Sequence, residues 1–202
     1  VELTWSDDSL GFAWMTQRPP IFEAPIVDRA GAAASLRLSI DALSPALPVQ
    51  VVSCGVPYLL VPLHSRRAVD DASLDVVAYQ RLQHAYGLGR DVCVYLFTTE
   101  RGHDEGTAYS RMFGPSIGIG EDPATGSACG PLGCYLLHHH VVTAVEARRM
   151  LSVQGVTMGR PSEIHIAVDQ VDGQIARVRV GGEAVVAGSG ELGLDRELEC
   201  ES

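Results

Sequence analysis

The run Gly118-Ile119-Gly120-Glu121-Asp122-Pro123-Ala124-Thr125-Gly126-Ser127-Ala128-Cys129-Gly130 sets a carboxylate, two hydroxyls and flexible backbone where a helix begins. Downstream, Leu132 to His140 reads as helix and carries Leu132, Tyr135, Leu136 and Leu137, while Ala128, Cys129, Gly130 and Gly133 are small enough for close packing on the other faces. A helix apolar nearly all round belongs in a core. Its first N–H groups lack intrahelical acceptors and carry partial positive charge, so Thr125, Gly126 and Ser127 form an anion seat with Asp122 beside it. Pro131 has no N–H, and its ring clashes with the preceding turn; this places it in the first turn and starts the helix between Ser127 and Gly130.

Around this helix the chain reads as strands in hairpins. Ser6-Asp7-Asp8-Ser9 separates two alternating apolar runs, and Pro19-Pro20 ends the extended structure. Gln50 to Cys54 and Pro57 to Leu63 are β-branched and apolar, broken at Cys54-Gly55. Val92 to Thr98 and Thr107 to Phe113 read as strands joined by a polar loop. Arg149 to Gln154, Ser162 to Val168, Gln174 to Val180 and Glu183 to Ala187 read as a meander, with turns at Asp172-Gly173 and Gly181-Gly182. Helical patterns span Ile26 to Leu38 and Ser73 to Tyr86, the latter ended by Gly87. Hairpins rather than strand-helix alternation argue for an α+β fold over a doubly wound one.

Composition narrows the chemistry. The 202 residues are 46% hydrophobic, enough for a real core, and the formal charge of −10 argues against a nucleic-acid groove. All fifteen cations are arginine, which excludes a Schiff-base lysine and a phosphate-loop lysine from this chain. Five cysteines at irregular spacing, with no secretory or membrane-length apolar run, lead us to expect a reducing cytoplasm. Residues 191–202 hold Glu191, Asp195, Glu197, Glu199 and Glu201 against Arg196, and read as a disordered acidic tail.

Each candidate residue has two readings. Asp122 is either a proton-relaying or substrate-orienting carboxylate, or a residue that stabilises the turn. Ser127 either binds a substrate carboxylate or caps the helix, and both roles can coexist. Gly55 either presents backbone N–H groups to a ligand or permits a bulge. Arg160, within Gly159-Arg160-Pro161-Ser162, fits an exposed turn as well as a motif. Cys129 near a helix N-terminus could abstract an α-proton as a thiolate, but a packing cysteine explains it more simply. His138-His139-His140 point about 100° apart on a helix and cannot all bind one ion, so no metal is expected.

The tract Gly-Glu-Asp-Pro-Ala-Thr-Gly-Ser-Ala, followed by Val153-Gln154-Gly155-Val156-Thr157-Met158-Gly159-Arg160-Pro161-Ser162, resembles the phenazine-biosynthesis, or PhzF-like, isomerase family. Val51 to Leu63 and Val180-Gly181-Gly182-Glu183-Ala184-Val185 share the resemblance. It implies two similar lobes, each a curved, mostly antiparallel sheet around a central helix, as in diaminopimelate epimerase, with the active site between them. It also implies cofactor-free proton transfer on a small carboxylic acid by a glutamate of the first lobe. Asp122 would then orient or relay the proton, and Thr125, Gly126, Ser127 and Gly55 would bind substrate. No counterpart of the family's first lobe, with its Gly-Asn-Pro, Ser-Glu-Thr and Gly-His motifs, is found. Residues 1–25 resemble the last hairpin before the crossover and 26–190 the second lobe. The expected partner is therefore a complementary first-lobe polypeptide or self-association. The alternatives are a non-catalytic binding subunit and a cysteine-based racemase using Cys129.

Overall fold

The computed structural model describes residues 1–191 apart from Asp8 and Arg90; the rest of the acidic tail, from 192 on, lies outside the described residues. Among these, eleven strands form one sheet: β1 (Glu2–Ser6), β2 (Ser9–Gln17), β3 (Ile21–Phe22), β4 (Gln50–Ser53), β5 (Pro57–Pro62), β6 (Cys93–Thr98), β7 (Ala108–Gly114), β8 (Ile119–Asp122), β9 (Met150–Gln154), β10 (Ser162–Val171) and β11 (Gln174–Glu183). Four α-helices accompany them: α1 (Arg29–Ser35), α2 (Arg66–Asp71), α3 (Val76–Tyr86) and α4 (Gly126–His138). The strand order is β1-β2-β11-β10-β9-β7-β6-β5-β4-β3, with β8 attached to β7. Only β5–β6 and β7–β9 pair in parallel. The fold is α+β, as expected.

One covalent fact forces the curvature. β3 ends the sheet on one side and β2 lies one strand in from the other end, yet only Arg18, Pro19 and Pro20 separate them in sequence. Three residues span roughly 10 Å, so the sheet must curl until its ends meet. Arg18 seals the junction, donating its N–H to the Cys54 carbonyl at 3.2 Å. The curl encloses α4, whose residues Ala128 to Leu137 are all buried. Val52, Tyr58, Leu60, Tyr95, Phe97, Ile164, Ile166, Val168, Val178 and Val180 surround it. The intervening residues Val51, Leu59, Val61, Val94, Leu96 and Phe113 face outward into a second core under α1, α2 and α3. Strands β4 to β7 are thus buried on both faces, which is why β5 and β6 read as nearly continuous apolar runs. On β10 and β11 the outward positions His165, Asp169, Arg177 and Arg179 are only half-buried or exposed, so those strands alternate.

Three local expectations are corrected. Gly181-Gly182 is no turn: β11 runs through it to Glu183, and no separate strand follows at 184–187. A side chain at Gly181 would strike Phe12 and Trp14 of β2, whose rings pack at 5.0 Å, so Gly181 serves close approach. The Asp172-Gly173 turn does form, with φ of 50° and 78°. Pro131 lies at the sixth residue of α4 and not in its first turn, because the helix begins at Gly126. Finally, α2 was not anticipated; Ser65 caps it, accepting from the Ala68 N–H at 3.1 Å.

Candidate active site at the mouth of α4

Asp122 closes β8 opposite Met112 of β7, and α4 starts four residues later. The intervening turn is held by Gln154, the last residue of β9, which is fully buried. Its amide nitrogen donates to the Asp122 carbonyl at 2.6 Å and to Thr125 Oγ1 at 2.9 Å. Its amide oxygen accepts from the Thr125 N–H and the Tyr95 hydroxyl, both at 3.2 Å. One buried side chain therefore fixes both ends of the Asp-Pro-Ala-Thr turn. Behind it lie Ser110 and Ser152, 2.8 and 3.3 Å from the Tyr95 hydroxyl, giving this interior polar group partners on several strands. Gly155 follows with φ of 78°, and a side chain there would meet the Arg160 carbonyl and, at 2.7 Å, that of Pro123.

Thr125 is spent on this scaffold. It is 4% exposed, and its hydroxyl donates to Asp122 Oδ2 at 2.7 Å. It is the N-cap residue of α4, but its side chain makes no capping bond. Its N–H and hydroxyl proton already have protein partners in Gln154 and Asp122. Ser127 is not the cap either; it is the second residue of the helix, half-buried, with its Oγ 2.6 Å from the Tyr58 hydroxyl. The N–H groups of Gly126 and Ser127 open the helix and have no intrahelical acceptor. Asp122 Oδ1 makes no hydrogen bond among the described residues. The mouth thus offers one free carboxylate oxygen, one hydroxyl and the positive end of a buried helix.

Gly55 turns β4 into β5 with φ of 125°, and its N–H donates to Ser53 Oγ at 3.1 Å. The turn explains this glycine, and its N–H is already taken. It does bring Tyr58, three residues on, beside Ser127. Glu121 is held by Arg111, whose Nε and Nη2 donate to its two oxygens at 2.8 Å each. Burial pushes the Glu121 carboxyl up, but those hydrogen bonds and the guanidinium charge outweigh it and leave it below the ordinary value. Tyr58, Arg111 and Gln154 were not foreseen as site residues. A signal existed for two of them: Arg111 and Gln154 are the guanidinium and the carboxamide of strands that otherwise hold no charged or amide side chain.

Cys129 is fully buried, 3.4 Å from the Tyr95 hydroxyl, and burial pushes its thiol up to about 12. A group so protonated near pH 7 is a poor base. Cys129→Ser should therefore keep most of the activity, and iodoacetamide should inactivate the folded protein only slowly. Rapid inactivation blocked by substrate would point to the thiol. The three histidines go separate ways: His138 stacks on Phe22 at 4.4 Å, His139 bonds Gln50 Oε1 at 2.9 Å, and His140 adopts φ of 57°. Arg160 is exposed in a turn between β9 and β10.

With this geometry in place, comparison with known proteins defines the class. Residues 5–190 match the family described as phenazine biosynthesis-like protein, and the chain belongs to that family. It is 32% identical over 184 residues to the uncharacterized isomerase YddE of Escherichia coli K12, covering 90% of this chain and 60% of that protein. A stretch of 85 residues, 42% of this chain and 30% of the relative, is 41% identical to the trans-2,3-dihydro-3-hydroxyanthranilate isomerase of Pseudomonas chlororaphis. A PhzF-family protein of Bacillus anthracis superposes with a TM-score of 0.76 at 19% identity, over 91% of this chain and 61% of that one. The chain spans about 60% of the length of YddE. Among the described residues no helix is long and apolar enough to cross a membrane.

Proposed function

We propose that this chain supplies one lobe of a cofactor-independent isomerase that moves a proton between carbons of a small carboxylic acid. The observation that carries the reading is the Asp122 carboxylate, one oxygen tied to Thr125 and the other free, set beside Ser127 at the open end of a buried helix. The isomerase names of its relatives support the reaction class. In this reading Ser127 and the Gly126 N–H bind the substrate carboxylate, where the helix terminus favours negative charge. A glutamate from a complementary lobe removes the proton from one carbon, the electron pair shifts through the unsaturated acid, and the proton is returned to another carbon. Asp122 orients the substrate or relays that proton. A glutamate desolvated between lobes has a raised pKa, suited to accepting and returning a proton near neutrality.

The complementary lobe is itself part of the proposal. Leu3, Trp5 and Met15 are 50%, 54% and 43% exposed on or beside β1, the edge strand of the sheet. An apolar unpaired edge is a surface that proteins cover. We assign the complex to the cytoplasm. The test is to incubate the complete enzyme in D2O with trans-2,3-dihydro-3-hydroxyanthranilate and related unsaturated or hydroxylated acids. Isomerised product is expected, carrying a solvent deuteron only in the fraction of turnovers in which the glutamate exchanges its proton before returning it. Binding of these acids without turnover, the complementary lobe being present, would leave a binding subunit in place of an enzyme.

A further inference from the structure

We propose that Tyr58 is a positioning residue that aims the Ser127 hydroxyl at the substrate carboxylate. The inference rests on Ser127 being the carboxylate seat, as read above. Tyr58 lies on β5, 5% exposed, and Ser127 Oγ at 2.6 Å is the only hydrogen-bond partner of its hydroxyl among the described residues. Between two hydroxyls one must donate and the other accept. If Ser127 donated, the Tyr58 proton would be left without an acceptor in the interior, the more costly arrangement. With Tyr58 donating, its proton is satisfied and Ser127, half-buried at the helix mouth, keeps its own O–H for whatever enters. Burial raises the phenol above its ordinary value, with nearby Cys93 and Asp122 adding to it and the Ser127 hydrogen bond working the other way, so near neutral pH it keeps the proton it donates.

The chemistry follows from that direction. A serine whose lone pair is engaged from behind presents a donor outward, and an outward donor selects an acceptor-only group such as a carboxylate. A carboxamide, which can offer either a donor or an acceptor, gains less from the arrangement. The neighbouring N–H groups of Gly126 and Ser127 are donors too, so the mouth becomes donor-only on this side and discriminates by charge and by hydrogen-bond sense together. Tyr58 would thus govern specificity without touching the reacting atoms.

The experiment is calorimetric titration of the full chain, with its complementary lobe, using anthranilate and anthranilamide as probes. Wild type should prefer anthranilate. Tyr58→Phe, which removes one oxygen, should weaken anthranilate about 5- to 10-fold and anthranilamide hardly at all. Ser127→Ala should weaken anthranilate by a similar factor, and adding Tyr58→Phe to it should change little. If Ser127→Ala leaves anthranilate binding intact, or anthranilate does not bind, the carboxylate seat is wrong and this inference goes with it. If Ser127→Ala weakens binding while Tyr58→Phe does not, the seat stands and the role of Tyr58 is refuted. Equal weakening of both probes by Tyr58→Phe would also refute it, since general loosening of the mouth predicts no discrimination.

Discussion

Asp122→Asn should lower turnover of the complete enzyme about 100-fold or more, the range a positioned acid or base contributes, while shifting unfolding by less than about 1 kcal/mol. The two effects separate because the scaffold around Asp122 does not need its charge. Thr125 donates to a side-chain oxygen that asparagine still provides, and Gln154 donates to the backbone carbonyl, which is unchanged. What asparagine cannot do is accept a proton or orient a substrate by charge. The check is initial-rate kinetics beside urea unfolding of the same preparation. A relaying carboxylate predicts that the loss falls on kcat; an orienting one shares it with KM. Full activity, with substrate and complementary lobe present, would reduce Asp122 to a residue of the turn.

How far the sequence alone reaches can be judged from particular residues. The buried helix was legible because Leu132, Tyr135, Leu136 and Leu137 leave it no polar face. Its start was misplaced because the rule that confines proline to a first turn was given too much weight: Pro131 lacks the N–H that would reach the Ser127 carbonyl, and the helix proceeds through it regardless. The strands of β10 and β11 showed themselves by alternation, since their outer face is not covered by helices. The break at Gly181-Gly182 was misread because a glycine pair has the same appearance whether it bends a chain or, as Gly181 does, makes room for Phe12 and Trp14. Closure of the sheet was not readable from any local pattern. It follows from β2 and β3 being adjacent in sequence and far apart in strand order, and strand order is a property of pairing. The site shows the same division. Asp122 and Ser127 stood out by motif, whereas Gln154 and Tyr58 reach them from strands separated by 32 and 69 residues.

Arg111→Met should be among the most damaging single substitutions, costing about 3 kcal/mol or more of folding stability, a large share of what a domain possesses. Arg111 is 8% exposed and spends every side-chain nitrogen. Nε and Nη2 hold Glu121, while Nη1 donates to the carbonyls of Val69, Asp70 and Ala72 at 2.9, 3.1 and 2.8 Å. Those carbonyls end α2, so one guanidinium ties the helix on the outer face to the strand that presents Asp122. Methionine fills much of the volume but leaves three acceptors without donors and a partly buried carboxylate whose remaining partner is the Thr157 hydroxyl at 3.1 Å. The pH dependence gives the prediction its sign. Glu121 has a folded pKa below the ordinary 4.5, so its pairing stabilises the fold above that value and the contribution is lost as pH falls through the depressed folded value. The gap between wild type and Arg111→Met should therefore be widest near pH 7 and narrow in acid below 4.5. Adding Glu121→Met should recover part of the loss, because the unpaired charge goes while the three carbonyls stay unserved. Urea unfolding of the four proteins of this cycle at pH 7 and pH 4 measures every arm. An Arg111→Met protein as stable as wild type, with a pH-independent difference, would show that the ion pair does not secure the Asp122 strand.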